Sequence, residues 1–169
     1  MLFVFDPDSG LLHEIHELLH GRVSDTFGSG RIYIWKSVLE RIPSQLWLGS
    51  GPDTMMLAEI EPFTRFDERL NTAIVAQIDV AHNDYLNILY HQGIFAMLAY
   101  MAALVDAAGK WLRNSEKSGV VAALGGAALC YYIQAFFGFS FCGSTIYFWV
   151  ILGLLVSVLN KLSLGEKIC

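Results

Sequence analysis

Charged side chains are scarce in this sequence of 169 residues, where Asp, Glu, Lys and Arg make up 16% and hydrophobic residues 54%. A soluble globular domain carries about a quarter charged residues, so the composition excludes a single uniform soluble domain. Basic residues are the minority among the charged ones, with 11 against 16 acidic residues. This balance excludes a nucleic-acid-binding protein that depends on a basic patch.

Cysteine is scarce as well. The chain has three cysteines, Cys130, Cys142 and Cys169. An odd number at these positions gives no disulfide framework, so we expect the cysteines to pack rather than to form bonds.

The missing charge is concentrated in one segment, because the 43 residues between Lys117 and Lys161 contain no Asp, Glu, Lys or Arg. A single helix of that length would run roughly 65 Å, about twice the hydrocarbon thickness of a bilayer, so the segment must cross a membrane and return. Small and polar residues interrupt it near its middle: Gly138, Ser140, Cys142, Gly143 and Ser144. We therefore predict crossings near residues 118–137 and 145–160.

A third apolar run, from Ile88 to Val105, predicts another crossing near residues 88–109. Basic residues cluster between the first two crossings and after the last, namely Lys110, Arg113, Lys117, Lys161 and Lys167. The positive-inside rule then places both basic clusters and the carboxy terminus in the cytoplasm. The expected fold is all-α, with an external region over residues 1–87 and a transmembrane region over residues 88–169.

The external region is expected to form a mainly helical cap. An amphipathic helix is predicted by apolar residues at helical spacing, Leu11, Leu12, Ile15, Leu18 and Leu19. A second helix is expected over Ile32 to Ile42, followed by Pro43. Its apolar stripe consists of Trp35, Val38, Leu39 and Ile42. Gly49 to Pro52 predicts a tight turn, and Leu70 to Ile78 predicts a short helix.

No export signal precedes this external region. Met1 to Phe5 is too short for the apolar part of a signal peptide, and Asp6 and Asp8 follow at once. We therefore expect that amino-terminal transmembrane helices are missing and that the sequence is the carboxy-terminal part of a longer protein. A non-catalytic membrane subunit, whose acidic external face binds a partner, is an alternative interpretation.

One candidate site is a zinc centre, because His16, Glu17 and His20 satisfy the HExxH pattern of metallopeptidases. Glu40, on the following helix, is a candidate third protein ligand. The alternative is an amphipathic helix whose polar face carries the histidines. The extended metallopeptidase pattern fails, since Val23 and Thr26 replace its Gly and His.

A second candidate site rests on three elements in order. Ser29, Gly30 and Arg31 precede Trp35 in the first, Leu48 to Pro52 form an LGSGP turn, and Ala81 to Leu86 read AHNDYL. Together with the helices that follow, over roughly residues 28–160, this order resembles the O-antigen ligase and polymerase superfamily of membrane glycosyltransferases.

The resemblance implies a multi-pass enzyme of the cytoplasmic (inner) membrane that needs no metal or other cofactor. Its partners would be an undecaprenyl pyrophosphate-linked glycan donor, membrane lipid, and an acceptor hydroxyl on a glycan, lipid or protein. Such enzymes have about ten to twelve helices, and the site would lie in the external region, residues 1–87.

Two residues fit that chemistry and are the predicted catalytic residues. The Arg31 guanidinium, at a helix amino terminus, suits a pyrophosphate leaving group. The His82 imidazole titrates near neutral pH and suits a general base that takes the acceptor proton. A lipid-headgroup contact for Arg31 and an interfacial hydrogen-bonded role for His82 are the alternatives.

The other residues predicted to bind substrate are Asn83, Asp84, Gly51, Arg65 and Arg69. Helix capping is the competing role for Asn83 and Asp84, and an ordinary turn for Gly51. Arg65 and Arg69 are candidates for a second phosphate contact, with ion pairing to Asp67 or Glu68 as the alternative. His91 is predicted to serve helix packing.

Overall fold

The computed structural model describes residue 16 and residues 19–21, 27–67 and 71–164. Within them the chain forms four helices and one β-hairpin. The helices are α1 (Phe27–Gln45), α2 (Asp84–Asn114), α3 (Gly119–Phe137) and α4 (Cys142–Ser163). The strands are β1 (Phe63–Asp67) and β2 (Thr72–Ala76). The predicted helical fold class is therefore confirmed.

Helix α1 is longer than predicted at both ends, and Pro43 lies inside its last turn. Ile34, Val38 and Ile42, spaced four residues apart, form its buried stripe. Leu39 was predicted to share that stripe, but it is 50% exposed. The buried stripe packs against Met55, Ile60 and Ile78 of the segments that follow, as well as Ala81 and Tyr90.

The predicted helix over residues 70–78 is wrong, because Thr72–Ala76 within it forms strand β2 of an antiparallel hairpin. Phe63 pairs with Ala76 and Asp67 pairs with Thr72. The β-branched residues Thr72, Ile74 and Val75 favour the extended conformation. Asn71, just before β2, has a positive φ of 47°, which suits a turn.

Three helices are long and apolar enough to cross a membrane: α2 with the short helical turn after it, α3, and α4. They match the predicted crossings, but α2 begins four residues earlier than expected, at Asp84. Asn83 caps it, since its side chain accepts a hydrogen bond from the Leu86 amide at 3.0 Å. The Asp106 and Lys110 side chains pair at 2.7 Å, as their spacing predicts.

Helix α2 is broken at Gly93, whose φ of 79° and ψ of −177° are not helical. The loop after α1 lies against this break. The Ser50 and Gly51 amides donate to the Tyr90 and His91 carbonyls at 2.9 and 3.0 Å, and the Ile94 amide donates to the Leu46 carbonyl at 2.8 Å. These bonds satisfy backbone groups that a break in a transmembrane helix would otherwise leave unpaired.

The three apolar helices pack through small and aromatic residues. The Tyr131 and Phe148 rings stack at 4.1 Å between α3 and α4. Gly125 of α3 lies directly against the Trp111 ring of α2, where no larger residue would fit. This packing fixes the turn between α3 and α4, residues 138–141, near the amino terminus of α2.

Candidate functional site

The AHNDYL segment joins the β-hairpin to α2 and includes the first residues of α2, and hydrogen bonds from α1 and α2 hold it. The Trp35 indole of α1 donates to the Ala81 carbonyl at 2.8 Å. The Ala81 amide donates in turn to the Asn87 side chain of α2 at 2.9 Å. Ala81 is fully buried between them. The structure therefore places His82 on a firmly anchored stretch of backbone.

His82 is half-buried and has a positive φ of 48°, which is uncommon for a residue other than glycine. Its ring meets the Phe139 ring edge-on, with centroids 5.7 Å apart. Burial lowers the pKa of His82 below its ordinary value, the positive charge of Arg31 lowers it further, and the negative charge of Asp79 raises it. The imidazole is thus kept neutral, and able to accept a proton, at neutral pH.

Arg31 lies in the first turns of α1, after two glycines with positive φ, Gly28 and Gly30. Its Nη1 donates to the Gly28 carbonyl at 3.3 Å. Its Nε is buried and has no hydrogen-bond partner among the described residues. Arg31 lies near enough to His82 for its positive charge to lower the pKa of the imidazole.

Gly30 determines how the β-hairpin lies beside this site. A Cβ atom at Gly30 would come within 2.7 Å of the Phe63 ring, so only glycine permits the contact between α1 and β1. The Tyr33 hydroxyl adds a bond to the Glu61 carbonyl at 3.1 Å. The hairpin is thereby packed next to Arg31.

Asn83 and Asp84 make different contacts although they are neighbours. Asn83 is the helix cap already described. Asp84 is 4% exposed, and its two oxygens accept from the Ser140 amide at 3.0 Å and the Ser140 hydroxyl at 2.7 Å. Capping was the alternative role for both residues; the structure confirms it for Asn83 and shows a tertiary contact for Asp84.

The other predicted substrate-binding residues lie on different parts of the structure. Gly51 lies at the α2 break, where its carbonyl accepts from His91 Nδ1 at 2.7 Å, and this contact confirms the packing role of His91. Arg65 lies in β1 opposite Ile74. Arg69 lies outside the described residues.

The predicted zinc site is only partly described, because Glu17 lies outside the described residues. The His16 and His20 rings are neighbours, with centroids 4.2 Å apart. His16 is buried rather than solvated. Glu40 is an exposed residue of α1. Among the described residues, no group of three or more His, Cys, Asp or Glu side chains is placed to hold a metal ion.

Sequence reasoning missed Phe139 and Ser140 as site residues. The polar interruption of the apolar run indicated a turn at Ser140, but nothing local indicated its partner, which lies 56 residues earlier. Two cavities of about 200 Å³ each share Asp84, Ile88, Gln92 and Ser140 in their linings. The first also contains Tyr100, Tyr131 and Trp149, and the second contains Asp53, Asp79 and His91.

Replacing Trp35 with phenylalanine should loosen the AHNDYL segment without emptying the space that the indole fills. The Ala81 carbonyl loses its donor, so we expect the free energy of unfolding to fall by about 1–2 kcal/mol. Thermal unfolding of the purified protein in detergent measures the loss. Tyr147→Phe is the control, because Tyr147 is an exposed residue of α4. Equal melting temperatures for the two variants would contradict an anchoring role for Trp35.

A family model described as O-antigen ligase matches residues 5–101, which is more than half of the 169-residue chain. The matched range includes Arg31, the LGSGP turn and His82, and it ends within α2. Searches of the curated proteins and of the solved structures gave no match. The match covers all three motifs, and the chain belongs to the O-antigen ligase family.

Proposed function

We propose that the protein transfers a glycan from an undecaprenyl pyrophosphate carrier to an acceptor hydroxyl, with His82 as general base and Arg31 at the leaving group. Membership in the O-antigen ligase family supports a ligase-like role in polysaccharide assembly. Three apolar helices support a membrane setting. The proposed orientation in the cytoplasmic membrane leaves residues 1–87 outside and the carboxy terminus in the cytoplasm, following the basic residues.

The proposed reaction is one displacement at the anomeric carbon. The acceptor oxygen forms a bond to that carbon while its proton passes to the His82 imidazole. The bond from the carbon to the pyrophosphate oxygen breaks, and the lipid pyrophosphate leaves with the electron pair. Arg31 offsets the negative charge that develops on the leaving group.

The observation that carries this proposal is a neutral His82 that lies within the electrostatic influence of Arg31. A general base must be unprotonated before the reaction, and burial together with the Arg31 charge favours that state. Arg31 also retains a buried Nε–H without a described protein partner. This unpaired donor supports a role for the Arg31 guanidinium in binding an anion.

The other predicted binding residues have narrower proposed roles. Asn83 and Asp84 make their described hydrogen bonds within the protein, which supports a role in positioning His82. Gly51 shapes the loop at the α2 break. A substrate hydroxyl contact for Asp84 and phosphate contacts for Arg65 and Arg69 remain predictions.

Arg31→Gln tests the proposal directly. We expect glycan transfer to fall about 100-fold, because the variant loses a charge that is needed at the leaving group. Arg31→Lys should retain part of the rate, since it keeps the charge but not the bidentate geometry. The measurement is transfer from a purified undecaprenyl pyrophosphate-linked glycan in membranes that contain the full chain.

Arg113→Gln is the matched control for that experiment. Arg113 is an exposed arginine near the end of α2 that donates to the Gly109 carbonyl, so its loss should leave transfer unchanged. Normal transfer by Arg31→Gln at equal protein level would contradict the proposed role of Arg31.

A further inference from the structure

The turn between α3 and α4 is tied to the start of α2 by one carboxylate. Both oxygens of Asp84 accept hydrogen bonds from Ser140, at 3.0 Å from the amide and 2.7 Å from the hydroxyl. Asp84 is 4% exposed, and in the described part of the chain no basic side chain forms a salt bridge with it. Two neutral donors therefore satisfy a buried carboxylate, and losing either would be costly.

The same turn places an aromatic ring on the proposed base. Phe139 precedes Ser140 directly, and its ring meets the His82 ring at 5.7 Å with an interplanar angle of 70°. His82 and Asp84 are only two residues apart. The Asp84–Ser140 hydrogen bonds and the His82–Phe139 ring contact therefore join the same two segments of the chain, residues 82–84 and residues 139–140.

We propose that the Asp84–Ser140 pair is a latch that holds the Phe139 ring against His82 and excludes water from the imidazole. The inference rests on the proposed role of His82 as general base. It assigns Asp84, Ser140 and Phe139 as positioning residues that act through His82. When the latch opens, the ring withdraws and water reaches His82.

Opening of the turn would change the solvation of His82, but not the set of charged side chains around it. Arg31 acts on it from α1, and Asp79 acts from the segment before it. Asp84 lies two residues away and is bonded to Ser140. The turn itself, residues 138–141, consists of Gly, Phe, Ser and Phe and carries no titratable side chain. Opening the turn therefore adds and removes no ionisable side chain. It increases the solvation of His82, and this raises the pKa of His82 towards its ordinary value.

Chemical labelling of the histidine measures this solvation without an activity assay. Diethyl pyrocarbonate reacts with neutral imidazole, so the pH dependence of labelling at His82, followed by mass spectrometry, reports its pKa and access. In the full chain in detergent, we expect slow labelling with a midpoint below about 6.5. Ser140→Ala should raise the midpoint and increase the labelling rate several-fold above it.

Matched variants make the outcome specific. Phe139→Leu should give the same change with the latch intact, and Ser140→Thr, which keeps the hydroxyl and the amide, should label like the native chain. Phe141→Leu and Ser144→Ala are the controls, because both residues are exposed. Phe141 is the last residue of the turn, and Ser144 follows in the first turn of α4. If Ser140→Ala fails to fold, as judged by gel filtration, Phe139→Leu decides the question.

Unchanged labelling in both Ser140→Ala and Phe139→Leu would overturn the latch. The proposed function has a separate failure. If these variants label faster while His82→Ala still transfers glycan normally, the latch is supported and the catalytic role of His82 is wrong. If labelling is faster and transfer requires His82, both proposals are supported.

Discussion

Replacing His82 with alanine is expected to lower glycan transfer by at least about 100-fold at neutral pH, because the acceptor hydroxyl loses the group that takes its proton. The AHNDYL backbone is held through Ala81 and Asn83, not through the imidazole, so the variant should fold and insert normally. Transfer from an undecaprenyl pyrophosphate-linked glycan, at equal membrane level of the protein, is the measurement.

Glycan transfer by the native protein should depend on pH, because His82 must be neutral to act as a base. His82 accepts a proton only when it is neutral, so transfer should persist above its pKa and fall as the pH drops through it. Because burial and Arg31 both lower that pKa, the fall should lie below about pH 6.5. Arg31→Gln removes one of the two causes of the lowered pKa. The residual transfer of this variant should therefore begin to fall at a higher pH than that of the native protein.

His20→Gln is the matched control, since His20 is an exposed histidine that has no role in the proposed transfer. It also tests the zinc interpretation, in which His20 would be a ligand. Normal transfer by His82→Ala would refute the general base. Loss of transfer in His20→Gln together with loss of bound zinc would favour the metal site instead.

The membrane helices were predictable because composition alone constrains them. Few soluble folds can bury the segment of 43 residues between Lys117 and Lys161, which has no charged side chain. The small polar residues near its middle indicated the turn. Arg31 and His82 were assigned to one site only through the motif order. No periodicity in the sequence relates two residues that lie on separate elements.

The parts that could not be predicted depend on contacts between distant segments. Residues 70–78 carry both helix-compatible and β-branched side chains, and pairing with β1 decides in favour of a strand. Asp84 is a good capping residue by type, yet its carboxylate bonds to Ser140 because the packing of α3 and α4 brings that turn to it. Local propensity contains no signal for either outcome.

The break in α2 is the clearest case of such dependence and leads to the largest expected effect on stability. Gly93 has φ 79° and ψ −177°, a region that only glycine occupies readily. A Cβ atom there would overlap the Trp47 carbonyl and would lie 2.8 Å from the Gly49 amide nitrogen. Gly93→Ala therefore combines backbone strain with a steric clash that neither backbone segment can relieve cheaply.

We expect Gly93→Ala to lower the free energy of unfolding by about 3 kcal/mol or more, which corresponds to roughly 10 °C in melting temperature for a chain of this size. Thermal unfolding in detergent measures it. Gly153→Ala is the control, because a Cβ at this α4 position meets nothing within 4 Å and alanine favours the helix. If the two variants melted together, the loop over residues 46–51 would not be what holds the break in α2. If only Gly93→Ala melts early, glycan transfer should fall with it, since the broken helix begins at the cap beside His82.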